Sequence, residues 1–322
     1  MRSSMAMVVV LVGATLAGCG EAADPPVYAD DLPPAARGFA PAVRTIDDAL
    51  GPVGFVAADA GAVVWSAPRA GGMSLLARAT PRAGTRELVP RFETSVVSDG
   101  AFDVGRGSRG RAVVVWTQGC DGPGRCLVQS VALTGGRPRT IARLPDGARS
   151  PVAIDGTSLV YVADAAGCNE LRLLTLPGGP DSSLGRGTCG SVLQVDVDGS
   201  FVAAAVSTEP PGDEDSFPSE AWLSDVRNGG VRIAQVEDAG YSGPDQITQV
   251  MLDRGALFTT RLGDSGDQLV RIPVNGGAAT RTRVAGSSPA VVARDAGTTY
   301  VIDAVKEGRR SALLQYRLDT GR

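Results

Sequence analysis

At 322 residues, with a formal net charge of −4 and no histidine, the chain can bury a sizeable core but lacks the imidazole on which Ser-His and Cys-His nucleophile pairs and many metal sites depend. Its 31 basic residues are all arginine except Lys306 and form no concentrated stripe, which argues against nucleic acid as a partner. The densest basic stretch, Arg106-Gly107-Ser108-Arg109-Gly110-Arg111, reads as a solvated turn between strands.

The chain begins with Arg2 and an uncharged apolar run from Met5 to Leu16, the order of an export signal and too short for a permanent membrane span. Leu16-Ala17-Gly18-Cys19 resembles the bacterial lipobox. That resemblance implies removal of residues 1–18 and lipid on Cys19, each acyl chain contributing about 0.8 kcal/mol per buried methylene. Residues 19–41 are rich in Pro and Ala and read as a flexible tether. The expected location is extracytoplasmic, anchored to the bacterial cell membrane or outer membrane by lipid alone.

From residue 42 to 322, apolar alternating segments run repeatedly into Gly turns: Arg82-Ala83-Gly84, Thr134-Gly135-Gly136, Pro177-Gly178-Gly179, Asn228-Gly229-Gly230, Asn275-Gly276-Gly277 and Asp319-Thr320-Gly321. Successive last glycines fall 52, 43, 51, 47 and 44 residues apart, a period that holds one four-stranded propeller blade. First strands are expected over Val53–Asp59, Ala101–Val104, Val152–Asp155, Leu193–Asp198, Thr248–Asp253 and Ala290–Asp295. Very apolar second strands follow from Ala62, Ala112, Ser158, Phe201, Ala256 and Thr298, and third strands begin near Leu75, Leu127, Leu171, Trp222, Leu269 and Leu313. The last repeat ends after its third strand. Val43-Arg44-Thr45-Ile46 is the candidate to pair there, because an open edge invites aggregation. The expected fold is all-β, a six-bladed propeller of four-stranded antiparallel blades whose last blade is closed by an N-terminal strand. By repeat count and export signal this region resembles the TolB-like propellers.

Four cysteines remain after Cys19. An even number in an exported chain points to disulfides. Of the three possible pairings, Cys120 with Cys126 and Cys168 with Cys189 is favoured, because the first pair closes a Gly/Pro-rich loop and the second lies within one repeat.

Without histidine, carboxylates are the remaining chemistry. Asp59, Asp155, Asp198, Asp253 and Asp295 recur at the ends of first strands, where an Asp suits a turn by capping nearby amides. Glu209, Asp213, Glu214 and Asp215 lie in the longest loop, between the second and third strands of the fourth repeat, beside Glu237 and Asp238. This patch could take calcium or a basic partner. Trp65, Trp116 and Trp222 read as core. The functional expectation is a monomeric, non-enzymatic binding or scaffold protein of the envelope, with a protein or peptide partner and no required cofactor. The alternative is a carboxylate- or calcium-dependent hydrolase or lyase acting at the channel mouth.

Overall fold

Short runs of four to eight residues, alternating apolar and polar or continuously apolar as in Ala112–Gln118 and Phe201–Ser207, bounded by Gly-containing turns, form strands. The computed structural model describes residues 27–28, 44–50, 55–69, 72–78, 84–92, 102–120, 126–165, 168–184, 191–207, 219–228, 231–238, 246–262, 268–275, 278–283, 291–304 and 311–317. The fold is an all-β propeller of antiparallel four-stranded sheets.

In chain order, the first sheet contains Val56–Asp59, Ala62–Arg69, Gly72–Arg78 and Arg86–Val89; the second contains Asp103–Arg106, Ala112–Gln118, Leu127–Ala132 and Arg139–Arg143. The third is built of Ala148–Asp155, Ser158–Ala165, Cys168–Thr175 and Asp181–Ser183. The fourth holds Ser191–Asp198, Phe201–Ser207, Ser219–Asp225 and Val231–Asp238, with Val27–Tyr28 added in parallel at its edge. In the fifth, Gln246–Asp253, Ala256–Leu262, Gln268–Pro273 and Thr280–Arg283 pair in order. In the last sheet Val291–Asp295, Thr298–Ala304 and Ser311–Arg317 are followed by Arg44–Leu50, which pairs antiparallel to Ser311–Arg317.

The first strand of each sheet contacts the first strand of the next, and Val291–Asp295 contacts Val56–Asp59. These strands therefore surround the axis. Second strands carry the densest apolar burial, as in Val113–Trp116, Leu159–Val162 and Val202–Val206, because they are covered on both sheet faces by neighbouring sheets. Each buried Val or Leu contributes about 1.5–3 kcal/mol.

The tryptophans fill the gaps between sheets, as the sequence suggests. Trp65 packs with Tyr300 and Leu313 of the last sheet. Trp116 sits against Phe92, Phe102 and Val64, its ring edge-on to Phe92 at 5.8 Å. Trp222 joins Val160 and Val195 of two sheets.

One boundary differs from expectation. The first strand of the second sheet is Asp103–Arg106, shifted from 101–104. This repeat lacks the Asp-Gly or Asp-X-Gly corner of the others, and its strand continues through Gly105 and Arg106 into a longer turn. Gly105 is required there: a Cβ would lie 1.7 Å from the Ile154 carbonyl oxygen of the third sheet.

Candidate functional site

The residues that end the first strands converge at one end of the axis. Asp59, Asp155, Asp198, Asp253 and Asp295 each oppose the first residue of the following strand, so all five occupy the same corner of their sheets. The sequence assigns them to caps of nearby amides. Capping is what three of them do, but the amide belongs to the next sheet. Asp155 accepts from the Gly199 N–H at 2.9 Å, Asp253 from Gly297 at 3.0 Å and Asp295 from Gly61 at 2.9 Å.

A second level lies deeper. Asp103 accepts the Ile154 N–H at 2.9 Å, and Asp196 accepts the Leu252 N–H at 2.5 Å while its other oxygen takes the Val197 N–H at 2.7 Å. Beside it Gln194 accepts from Val250 at 3.1 Å. These are again links from one inner strand to the next. Among the described residues the sheets are thus joined around the axis by acidic side chains holding backbone amides.

Confinement of so many carboxylates shifts their proton affinities. Desolvation pushes Asp59 up to about 6, reinforced by the charges of Asp295, Asp155 and Asp198. Asp196 rises to about 7, chiefly by desolvation and then by Asp59, against the opposing Leu252 N–H. Burial and the nearby Asp196 charge raise Asp103 well above the ordinary carboxylate range. Asp198 and Asp295 are also raised, with desolvation the leading cause. Arg106 partly offsets both.

At the junction of the fifth and last sheets the charge is neutralised directly. Arg294, with its side chain 2% exposed, donates from Nε to Asp253 Oδ2 at 3.0 Å. Its Nη1 donates to Thr299 Oγ1 at 2.8 Å, and its guanidinium lies 4.0 Å from the centre of the Phe258 ring. Sequence reading missed Arg294. The signal available was a charged residue inside the apolar run Val291–Asp295.

Ser207 and Ser219, the strand ends that flank the acidic loop in the chain, lie at the opposite end of the sheets. Ser207 pairs with Ser219 at the loop base, and Ser219 Oγ accepts the Ile247 N–H at 2.6 Å, tying this base to the fifth sheet. Glu209, Asp213, Glu214 and Asp215 lie outside the described residues. Glu237 pairs in register with Glu220 and Asp238 with Ser219, placing that strand end beside the loop base. The axial Asp corners and the strand ends that flank this loop are therefore at opposite ends of the second strands.

A Cys120–Cys126 disulfide joins the second and third strands of the second sheet at this same end. Cys168, which opens the third strand of the third sheet, is also disulfide-bonded; Cys189 lies outside the described residues, as does Cys19. Among the described residues no group of three or more Cys, Asp or Glu has the geometry to hold a metal ion, and no helix is long and apolar enough to cross a membrane.

No protein-family model and no curated protein matches the chain by sequence. Solved structures do resemble it in fold. A puromycin-hydrolyzing peptidase of Mycobacterium tuberculosis aligns with a TM-score of 0.54 at 13% identity, over 89% of this chain and 56% of that one. A chain of the mitotic checkpoint complex gives 0.51 at 13%, over 89% and 94%. TolB from Acinetobacter baumannii gives 0.49 at 13%, over 80% and 65%. The chain thus spans just over half the length of the peptidase and just under two thirds of TolB. At these identities the likeness concerns the propeller fold alone.

Proposed function

We propose that this chain is an extracytoplasmic, non-enzymatic binding or scaffold protein, held at a membrane by lipid on Cys19. Its propeller is a ring of six blades, the last closed by Arg44–Leu50. The pairing of that strand with Ser311–Arg317 and the Asp295 bond to Gly61 support closure.

The observation that carries the binding reading is how the axial carboxylates are used. Asp103, Asp155, Asp196, Asp253 and Asp295 each accept an amide of the next sheet, so the groups most available for chemistry hold the ring together. Such a scaffold leaves its loops free to bind. The face carrying the Cys120–Cys126 disulfide and the loop of Glu209, Asp213, Glu214 and Asp215, with Glu237 and Asp238, is the binding surface for a basic envelope protein or peptide, and calcium is the ion it would suit. Cross-linked capture from native membranes, with residues 209–215 intact or replaced by a Gly/Ser loop, tests this. Loss of one specific partner in the replacement supports it; identical capture overturns the assignment of that face.

A second reading, a carboxylate hydrolase or lyase, is favoured by Asp59 and Asp196, which titrate at about 6 and about 7 and could carry a proton near neutrality. Hydrolytic turnover lost in Asp59→Asn or Asp196→Asn, with the fold intact, would replace the first reading.

A further inference from the structure

The turn after Asp103–Arg106 and the turn leading into Arg139–Arg143 stand side by side on the second sheet and enclose a cavity of about 230 Å³. Arg109, Arg111, Arg137 and Arg139 line it with the hydroxyls of Ser108 and Ser130, and no carboxylate contributes to the lining. The first turn is held by bonds from the Gly107 N–H to the Arg111 carbonyl at 2.8 Å and from the Gly110 N–H to the Gly107 carbonyl at 2.7 Å. The second is pinned by Arg86 of the first sheet, whose guanidinium donates to the Thr134 carbonyl.

A neighbouring cavity of about 190 Å³ shares Gly107, Ser108, Val113, Ser130 and Arg139, and continues to Ile141, Ile154, Leu176 and Pro177. The two form one groove, cationic at one end and apolar at the other. Its inner wall is firm, since Val113, Ser130, Ile154 and Leu176 are buried. None of the four lining arginines forms an ion pair among the described residues, although carboxylates outnumber basic residues in the whole chain. Four guanidiniums gathered without a counter-charge repel one another, and a bound anion removes that repulsion. Their planar forks match phosphate oxygens two at a time.

We propose that this groove binds an amphipathic organic phosphate. Arg109, Arg111, Arg137 and Arg139 hold the phosphate, Ser108 and Ser130 supply further donors, and the hydrocarbon lies against Ile141, Ile154 and Leu176. The chemistry is shared by a soluble phosphate monoester and by the exposed headgroup of a phosphatidic-acid-like lipid. The groove lies at the same end of the sheets as the axial Asp corners, opposite the Ser207 and Ser219 strand ends that flank the acidic loop, so it stands independently of the partner surface proposed above.

Calorimetry on the full chain with hexyl phosphate, inorganic phosphate and hexanol tests it. Hexyl phosphate is expected to bind at least ten-fold more tightly than inorganic phosphate, with affinity falling as salt rises, and hexanol not at all. Arg137→Ala with Arg139→Ala should weaken both phosphates more than ten-fold without changing Tm, because both side chains are exposed. Ile141→Ser should weaken hexyl phosphate while leaving inorganic phosphate unchanged. Equal binding of the two phosphates, unaltered binding by the arginine variant, or no binding overturns the proposal. Sedimentation with phosphatidic acid vesicles then separates the sources: arginine-dependent vesicle binding assigns a lipid headgroup, and binding confined to hexyl phosphate assigns a soluble ester.

Discussion

Arg294 is held by Asp253 of the preceding inner strand, and the same Asp253 oxygen that takes its Nε–H at 3.0 Å also takes the Gly297 N–H at 3.0 Å. One carboxylate oxygen thus fastens both a buried cation and a turn of the neighbouring sheet. Removing it strands the guanidinium against Phe258 with no counter-charge. Asp253→Ala is therefore expected to cost about 3–5 kcal/mol, and the double change Asp253→Leu with Arg294→Met less than that single change. Denaturant unfolding of the two variants checks this; equal losses would show that the ion pair does not govern the site.

The corner carboxylates should separate into two classes. Asp295→Ala removes the acceptor of the Gly61 amide and should cost about 1 kcal/mol. Asp198 accepts no amide of another sheet among the described residues, while desolvation and then the charges of Asp155 and Asp253 raise its proton affinity. Asp198→Ala should thus be neutral or stabilising at pH 7.5. Thermal unfolding of the pair decides, and an equal loss in both would mean that the inter-sheet caps contribute nothing.

Acid should stabilise this propeller over a window where many proteins lose stability. Asp59 and Asp196 have folded-state values of about 6 and about 7 against an ordinary 3.8. Between pH 7 and pH 4 the folded chain therefore binds protons that the unfolded chain does not, and stability rises as pH falls. Tm at pH 5.5 should exceed Tm at pH 8, and Asp196→Asn should flatten the rise. An unchanged slope in that variant would exclude Asp196 as the titrating group.

Gly105 and Gly156 give a steric test. A Cβ at Gly105 meets the Ile154 carbonyl oxygen at 1.7 Å, whereas at Gly156 nothing lies within 4 Å but φ is +61°. Gly105→Ala must push the second and third sheets apart and should cost about 3 kcal/mol. Gly156→Ala bears only the left-handed backbone penalty, about 1 kcal/mol. Chemical denaturation ranks them, and the reverse order would refute the close approach.

The Cys120–Cys126 bond closes a short loop. Loop-closure entropy assigns such a bond about 2 kcal/mol. Double replacement by Ser should lower stability by that amount, read as a shift in the denaturation midpoint; no shift would mean that the bond leaves the unfolded chain unrestrained.

Local rules made most of the strands legible in the sequence. The short apolar run Phe201–Ser207, bounded by turn residues, suits a strand covered on both faces, and Gly156 after Asp155 and Gly255 after Asp253-Arg254 supply the positive φ that these corners need, so these elements appear where expected. The second sheet departs from the pattern because Gly105 answers to Ile154, a residue of another sheet, and no local rule records that contact. The recurrence of Asp at strand ends was visible in the chain; which amide each Asp would meet was not. A turn in isolation offers its own N–H groups, and only the approach of the next sheet brings Gly61, Gly199 and Gly297 within hydrogen-bond reach. The same holds for Arg294, unfavourable in an apolar strand until Asp253 stands beside it, and for the arginine groove, whose two turns are about 25 residues apart in the chain and become neighbours through strand pairing. The sequence by itself determined strand, turn and repeat, because these depend on side-chain alternation and backbone freedom within a few residues. Tertiary structure alone decided which charges would be neutralised, which desolvated and which left facing a cavity, because those depend on distances between residues remote in the chain.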